Sequence, residues 1–138
     1  KGEEDVTLTF NAEGHFECRW VSLAPVSQTC IWTKDLEDNI TCPIAHGEGN
    51  FQVNHQSPIT NLVSNDQIAL TYTYPNGAPA NGDYPANPNG SMRNIAGITN
   101  AGGTVVGLMP HPERALEPLL GSTDGLVLFQ SLLATVHA

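Results

Sequence analysis

A run of β-branched and apolar residues, Val105-Val106-Gly107-Leu108-Met109, runs straight into Pro110-His111-Pro112-Glu113. The first part reads as a strand, and two prolines spaced two apart fix the backbone and withhold donors, so the chain must turn there. His111 and Glu113 therefore stand where a buried sheet ends and solvent begins. Positions i and i+2 of an extended segment put both side chains on one face. A carboxylate beside an imidazole can bond one ring nitrogen, fix the tautomer and leave the other nitrogen free to take a proton. That pair is the base-and-orienter half of a nucleophilic triad, and a nucleophile is the missing piece.

A chain of 138 residues makes at most one domain, long enough to bury a core. Charged residues are scarce and Gly, Pro, Asn and Thr plentiful, which favours short strands and turns over long surface helices. A formal charge of -9 repels phosphate backbones and anionic membranes, which argues against nucleic-acid or membrane partners. No apolar run reaches the length of a membrane-spanning helix, and no signal peptide is visible. Three cysteines (Cys18, Cys30, Cys42) without a C-x-x-C pair point to reduced thiols and a cytoplasmic setting. The glycosylation-like triplets Asn39-Ile40-Thr41 and Asn89-Gly90-Ser91 are then chance matches. The chain opens on charged residues and enters a strand at once, so the expectation is that something upstream has been removed.

Strands are expected over residues 6–10, 15–23, 28–32 and 67–74, and a hairpin over 95–99 and 104–109 turning through Asn100-Ala101-Gly102-Gly103. In the second strand Phe16, Cys18 and Trp20 share one side. Residues 59–65 read as about one helical turn. Residues 75–91, rich in Pro and Gly, form a long loop that runs along the surface or covers a site. The one good helix follows the His-Pro-Glu turn over 126–136, capped by Ser122 or Thr123, with Asp124 at its positive end. Its residues Leu126, Phe129, Leu133 and Val136 fall at helical spacing and should pack on the sheet. The coarse picture is a strand-rich mixed sheet with a C-terminal helix.

Two segments hold a histidine and a carboxylate two apart: His46-Gly47-Glu48 and His111-Pro112-Glu113. Three readings are open. The four side chains could ligate zinc, iron or manganese on a β-module. His111 and Glu113 could be a base dyad, with the glycine loop at 46–49 offering backbone donors. Or the turn is a plain surface ion pair. None of the cysteines sits in a strand-to-helix elbow, so all three read as small buried hydrophobes. His15, His55 and His137 read as surface residues.

Four ordered stretches carry a family resemblance: Asn11-Ala12-Glu13-Gly14-His15-Phe16-Glu17-Cys18-Arg19-Trp20-Val21, Pro43-Ile44-Ala45-His46-Gly47-Glu48-Gly49-Asn50-Phe51, Asn87-Pro88-Asn89-Gly90-Ser91 with Ile95-Ala96-Gly97-Ile98, and Gly107-Leu108-Met109-Pro110-His111-Pro112-Glu113-Arg114-Ala115. Together they resemble the glutaminase subunit of phosphoribosylformylglycinamidine synthase (PurQ type), a class I glutamine amidotransferase. The resemblance implies an α/β, flavodoxin-like domain that hydrolyses glutamine with a Cys-His-Glu triad. It implies a large synthase subunit that takes the ammonia and uses ATP and magnesium in purine biosynthesis, and a small accessory subunit. His111 and Glu113 match the family's His and Glu. His46, Gly47 and Glu48 match the loop where related amidotransferases hold the amino-acid end of the substrate.

The family's nucleophile lies in a G-x-C-x-G-x-Q elbow, and no such motif occurs in this chain. The expectation is a partial domain over 1–138, the C-terminal part, without the N-terminal part that bears the cysteine. Such a chain holds no cofactor of its own and is inactive alone. A non-catalytic module docking on the synthase is the remaining alternative.

Overall fold

A computed structural model describes residues 6–138; the charged opening, residues 1–5, lies outside them. The chain order is β1 (Val6–Thr9), β2 (Glu17–Pro25), β3 (Ile40–His46), β4 (Asn50–Val53), α1 (Gln56–Ser64), β5 (Ile68–Thr73), β6 (Ile95–Thr99), β7 (Val106–Leu108) and α2 (Leu126–Val136). Five strands form a sheet in the order β3-β2-β5-β6-β7, and β1 pairs with β4 in a separate ribbon. The strand-rich sheet with its C-terminal helix is as expected, but every pairing among the described residues is antiparallel, where a mixed sheet was expected.

The sheet curls. β3 and β7 are its opposite edges, yet the His111 N–H, three residues past β7, donates to the Pro43 carbonyl on β3 at 2.8 Å. The turn after β7 thus spans the gap between the two edges. Inside the curl, Val21, Leu23, Cys42, Ile44, Leu70 and Tyr72 make the main core with Ala115 and Leu128. On the other side Phe51, Ile59, Leu62, Ile68 and Ile95 form a second cluster beneath α1. Period-2 alternation explains β3, where Ile40, Cys42, Ile44 and His46 point inward and the residues between them do not.

Several expectations need correction. Residues 28–32 form turns rather than a strand. The Asp66 carboxylate collects the Gln28 and Thr29 N–H groups, and Ser27 Oγ takes that of Cys30, so side chains occupy donors a ladder would use. The segment expected to give one helical turn is the nine-residue α1. Neither Ser122 nor Thr123 caps α2; Gly125 holds that position, and Asp124 instead accepts the Thr41 N–H at 2.8 Å, tying the helix start to β3. The face of α2 is also displaced: Leu128 and Ser131 are buried, while Leu126, Leu133 and Val136 are exposed. Ser131 Oγ donates to the Ile31 carbonyl, and Phe129 meets Trp32 edge-on at 6.2 Å between centroids. Cys18 is exposed with Phe16 and Trp20 on the outer face of β2, because Val21 and Leu23 take the inward register; Cys30 and Cys42 are buried as expected.

Candidate active site

The His-Pro-Glu turn is held from three directions. Met109 N–H donates to the Ala96 carbonyl and continues the β6–β7 ladder, while His111 N–H reaches β3. From the third side α2 begins against the turn: a Cβ on Gly125 would collide with the Pro112 carbonyl oxygen, so only glycine lets the helix approach this closely. Pro112–Arg114 form one 3-10 turn, with Arg114 N–H bonding back to the His111 carbonyl.

In that frame His111 Nδ1 lies 2.7 Å from Glu113 Oε1. An ionised carboxylate only accepts, so Nδ1 carries the proton and donates, and Nε2 is left as the acceptor. The imidazole is one-third exposed and the carboxylate about half, so the dyad lies at the surface, and among the described residues no hydrogen-bond partner meets Nε2. Trp32, Leu108, Pro110, Leu128 and Phe129 line an open depression beside it. Geometry of this kind can take a proton from a group brought up to Nε2 and return it to a leaving group.

The second His-x-Glu segment has a different character. His46 is buried, and its ring is bonded on both nitrogens: Nδ1 to Asn11 Oδ1 at 3.0 Å and Nε2 to Asn89 Nδ2 at 3.4 Å. The two asparagines fix which nitrogen is protonated. Both Asn11 amide hydrogens go to the His15 and His46 carbonyls, so its Oδ1 accepts, from His46 Nδ1 and from Gly49 N–H. Asn89 Oδ1 accepts from Ser91, so its amide donates to His46 Nε2 and to the Tyr72 hydroxyl. His46 is therefore the neutral Nδ1–H tautomer, and burial holds its pKa below the ordinary imidazole value. Gly49 follows from the same packing, since a Cβ there would stand 2.5 Å from the imidazole.

Residues 75–91 supply the other wall of this network. Asn87, Asn89 and Ser91 are buried, so the segment covers the His46 ring rather than lying loose on the surface. Tyr84 pins it from outside: its hydroxyl donates to Glu17 at 3.1 Å and the Arg19 guanidinium stacks 4.9 Å above its ring. Burial pushes the Glu17 carboxyl up, but bonds from Arg19 and Tyr84, with the charges of Arg19 and His15, bring it below the ordinary value.

Of the residues expected at a site, the fold joins His111 to Glu113 directly. It connects them to the His46 segment through β3, where the Pro43 carbonyl accepts the His111 N–H, and the charge of His111 adds to the lowering of the His46 pKa that burial dominates. Glu48 is exposed, whereas the His46 ring is buried. The four-ligand metal reading is not assembled: His46 has no ring nitrogen to offer, and among the described residues no three His, Cys, Asp or Glu side chains are placed to hold an ion. Burial, with Asp124 and Glu113 nearby, pushes the Cys42 thiol up to about 12. The exposed Cys18 is the second residue of β2, paired with Ala45 on β3, and not at a strand-to-helix turn. Sequence reasoning missed Asn11, Asn89 and Ser91. Their small polar side chains in turn-like stretches were visible, but nothing in the sequence pairs Asn89 with a histidine 43 positions away.

A model of the CobB/CobQ-like glutamine amidotransferase domain matches residues 1–124. A Treponema denticola protein named phosphoribosylformylglycinamidine synthase subunit PurQ is 54% identical over 111 residues, 78% of this chain and 41% of the relative. A protein of the same name from Acaryochloris marina is 44% identical over 133 residues, 95% of this chain and 55% of the relative. Among solved structures, a chain from the structure of PurLQS from Thermotoga maritima superposes with a TM-score of 0.71 at 34% identity, covering 97% of this chain and 54% of that one. The chain spans about half the length of the relatives it matches.

Proposed function

We propose that this chain, which belongs to the CobB/CobQ-like glutamine amidotransferase family, is the base-bearing portion of a glutaminase that supplies ammonia for purine biosynthesis. The observation that carries the reading is the His111–Glu113 bond of 2.7 Å, with Nε2 left without a hydrogen-bond partner among the described residues. In the reaction, Nε2 takes the proton of a thiol supplied from outside these 138 residues. The thiolate attacks the carboxamide carbon of glutamine. His111 then passes the proton to the departing ammonia, and water, deprotonated by the same nitrogen, hydrolyses the thioester. Glu113 keeps the imidazole in the Nδ1–H tautomer and offsets its charge when protonated. The loop at His46, Gly47 and Glu48 is proposed to hold the amino-acid end of glutamine through its backbone, with the His46 ring acting inward to set the loop's shape.

On this reading the chain is a partial domain, residues 1–138, completed by the portion that bears the nucleophile. Its partners are a large synthase subunit, which uses ATP and magnesium, and a small accessory subunit, in the cytoplasm. The test joins the chain to the portion of the Treponema denticola relative that it does not match and follows ammonia release from glutamine. His111→Ala should lower kcat by about a thousandfold or more. Activity that survives the substitution would remove His111 from the mechanism.

A further inference from the structure

Residues 89–91 grip the loop at 46–49 from one side, and Asn11 grips it from the other. Asn11 donates its N–H to the Gly47 carbonyl at 2.9 Å and its side-chain amide to the His46 carbonyl at 2.8 Å, while its Oδ1 accepts the Gly49 N–H at 3.0 Å. Opposite, Ser91 Oγ accepts the Phe51 N–H at 3.0 Å and donates to Asn89 Oδ1 at 2.6 Å, which fixes the Asn89 amide with its Nδ2 toward His46. The Ala12 N–H closes the two sides on each other by donating to the Asn89 carbonyl at 3.0 Å. Once these bonds are made, the Gly47 and Glu48 N–H groups have no hydrogen-bond partner among the described residues. Successive free amides of this kind suit a carboxylate. The His46 ring couples the two sides, since it is bonded to Asn11 and to Asn89 and lies so close to Gly49 that a Cβ there would stand 2.5 Å away. A ring that turns must displace the Gly49 backbone or lose its contact with it.

We propose that Asn89 is a positioning residue for glutamine: acting through the His46 ring, it sets the backbone of residues 47–49 so that the Gly47 and Glu48 N–H groups meet the substrate's α-carboxylate. The proposal rests on the glutaminase reading above, which gives this loop the amino-acid end of glutamine. Asn89 is fully buried, its amide hydrogens go to His46 and the Tyr72 hydroxyl, and its oxygen is taken by Ser91. Nothing of it is left to touch a substrate, so its effect passes through the ring. The segment at 75–91 is then part of the substrate site without contacting glutamine, and the Tyr84–Glu17 bond holds it in place from outside.

The test substitutes Asn89 in the joined protein and follows ammonia release against glutamine concentration. Asn89→Leu removes the amide at similar volume, and it should raise KM for glutamine at least about tenfold while kcat stays within about threefold. A merely structural role would reduce the amount of folded enzyme, which lowers kcat and leaves KM where it was. Asn89→Asp keeps an oxygen for Ser91 and offers the ring a carboxylate, so His46 takes a second proton and is again bonded on both sides. Glu17 favours that charge and His111 opposes it. Asn89→Asp should hold KM within about threefold of wild type, and nitrogen NMR near pH 7 should show both His46 ring nitrogens protonated, where wild type shows Nδ1 alone. An unchanged KM in Asn89→Leu would overturn the proposal, and so would a KM raised about tenfold or more in Asn89→Asp. A wild-type joined protein that binds glutamine but releases no ammonia sinks the proposed reaction instead, and calorimetric dissociation constants for the three proteins then decide the role of Asn89 by the same ratios. A wild type that binds no glutamine overturns both.

Discussion

Two histidines with the same local spacing to a glutamate have opposite roles, and burial separates them. His111 stands at a turn with one nitrogen bonded and one open; His46 is enclosed with both nitrogens bonded. The sequence made the first legible, because two prolines and an i, i+2 pair determine a local geometry. It left the second ambiguous, since His46 is defined by Asn11 and Asn89, which lie far from it in the chain. The depressed pKa of His46 has a consequence for stability. Protons bind the unfolded chain more readily, so the contribution of His46 is complete above about pH 6.5 and is lost as pH falls toward its lower folded value. Thermal melts between about pH 7.5 and 5.5 should show wild type losing more stability on acidification than His46→Gln, the difference isolating this residue from the other histidines. Parallel curves would mean His46 is not held neutral.

At the level of elements, the hairpin at 95–109 and the strand β5 were readable because each combines a regular apolar pattern with local turn chemistry. The C-terminal helix was readable in place but not in orientation. Helical spacing offered Leu126, Leu133 and Val136, whereas the fold uses Leu128 and Ser131, because Gly125 and Asp124 dock the helix start on the His-Pro-Glu turn and β3. Periodicity names the candidate stripes of a helix; contacts at its end choose among them. Leu128→Ala should cost about 2–5 kcal/mol, read as a shift in denaturant midpoint at unchanged slope. Leu133→Ala, at a position 55% exposed, should stay within about 0.5 kcal/mol of wild type. The reverse ordering would restore the face expected from spacing alone. Residues 28–32 show the complementary failure. Their composition suits a strand, but a single carboxylate, Asp66, gathers the donors that a strand would spend on a neighbour.

For the molecule as a whole, the ordered motifs carried the family and the C-terminal helix, while the curl of the sheet came only from the structure. That curl lets one turn bridge β7 and β3 and gives the dyad a rigid seat, although its depression and the neighbouring edge remain uncovered. Phe10, Phe16, Val105 and Leu119 are all more than 60% exposed, a surface suited to being covered. The 138-residue chain alone should therefore self-associate as its concentration rises, and the joined protein should not, a contrast that sedimentation velocity measures. A chain that stays monomeric at high concentration would mean that these surfaces need no cover.

The central claim is that His111 and Glu113 are a working base awaiting a thiol from elsewhere in the domain. The most direct measurement is the rate of alkylation of that thiol in the joined protein as a function of pH. With His111 present, the thiol should react as a thiolate well below its ordinary range near pH 8.5, and His111→Ala should move the profile back up to that range. Identical profiles for the two proteins would contradict the account.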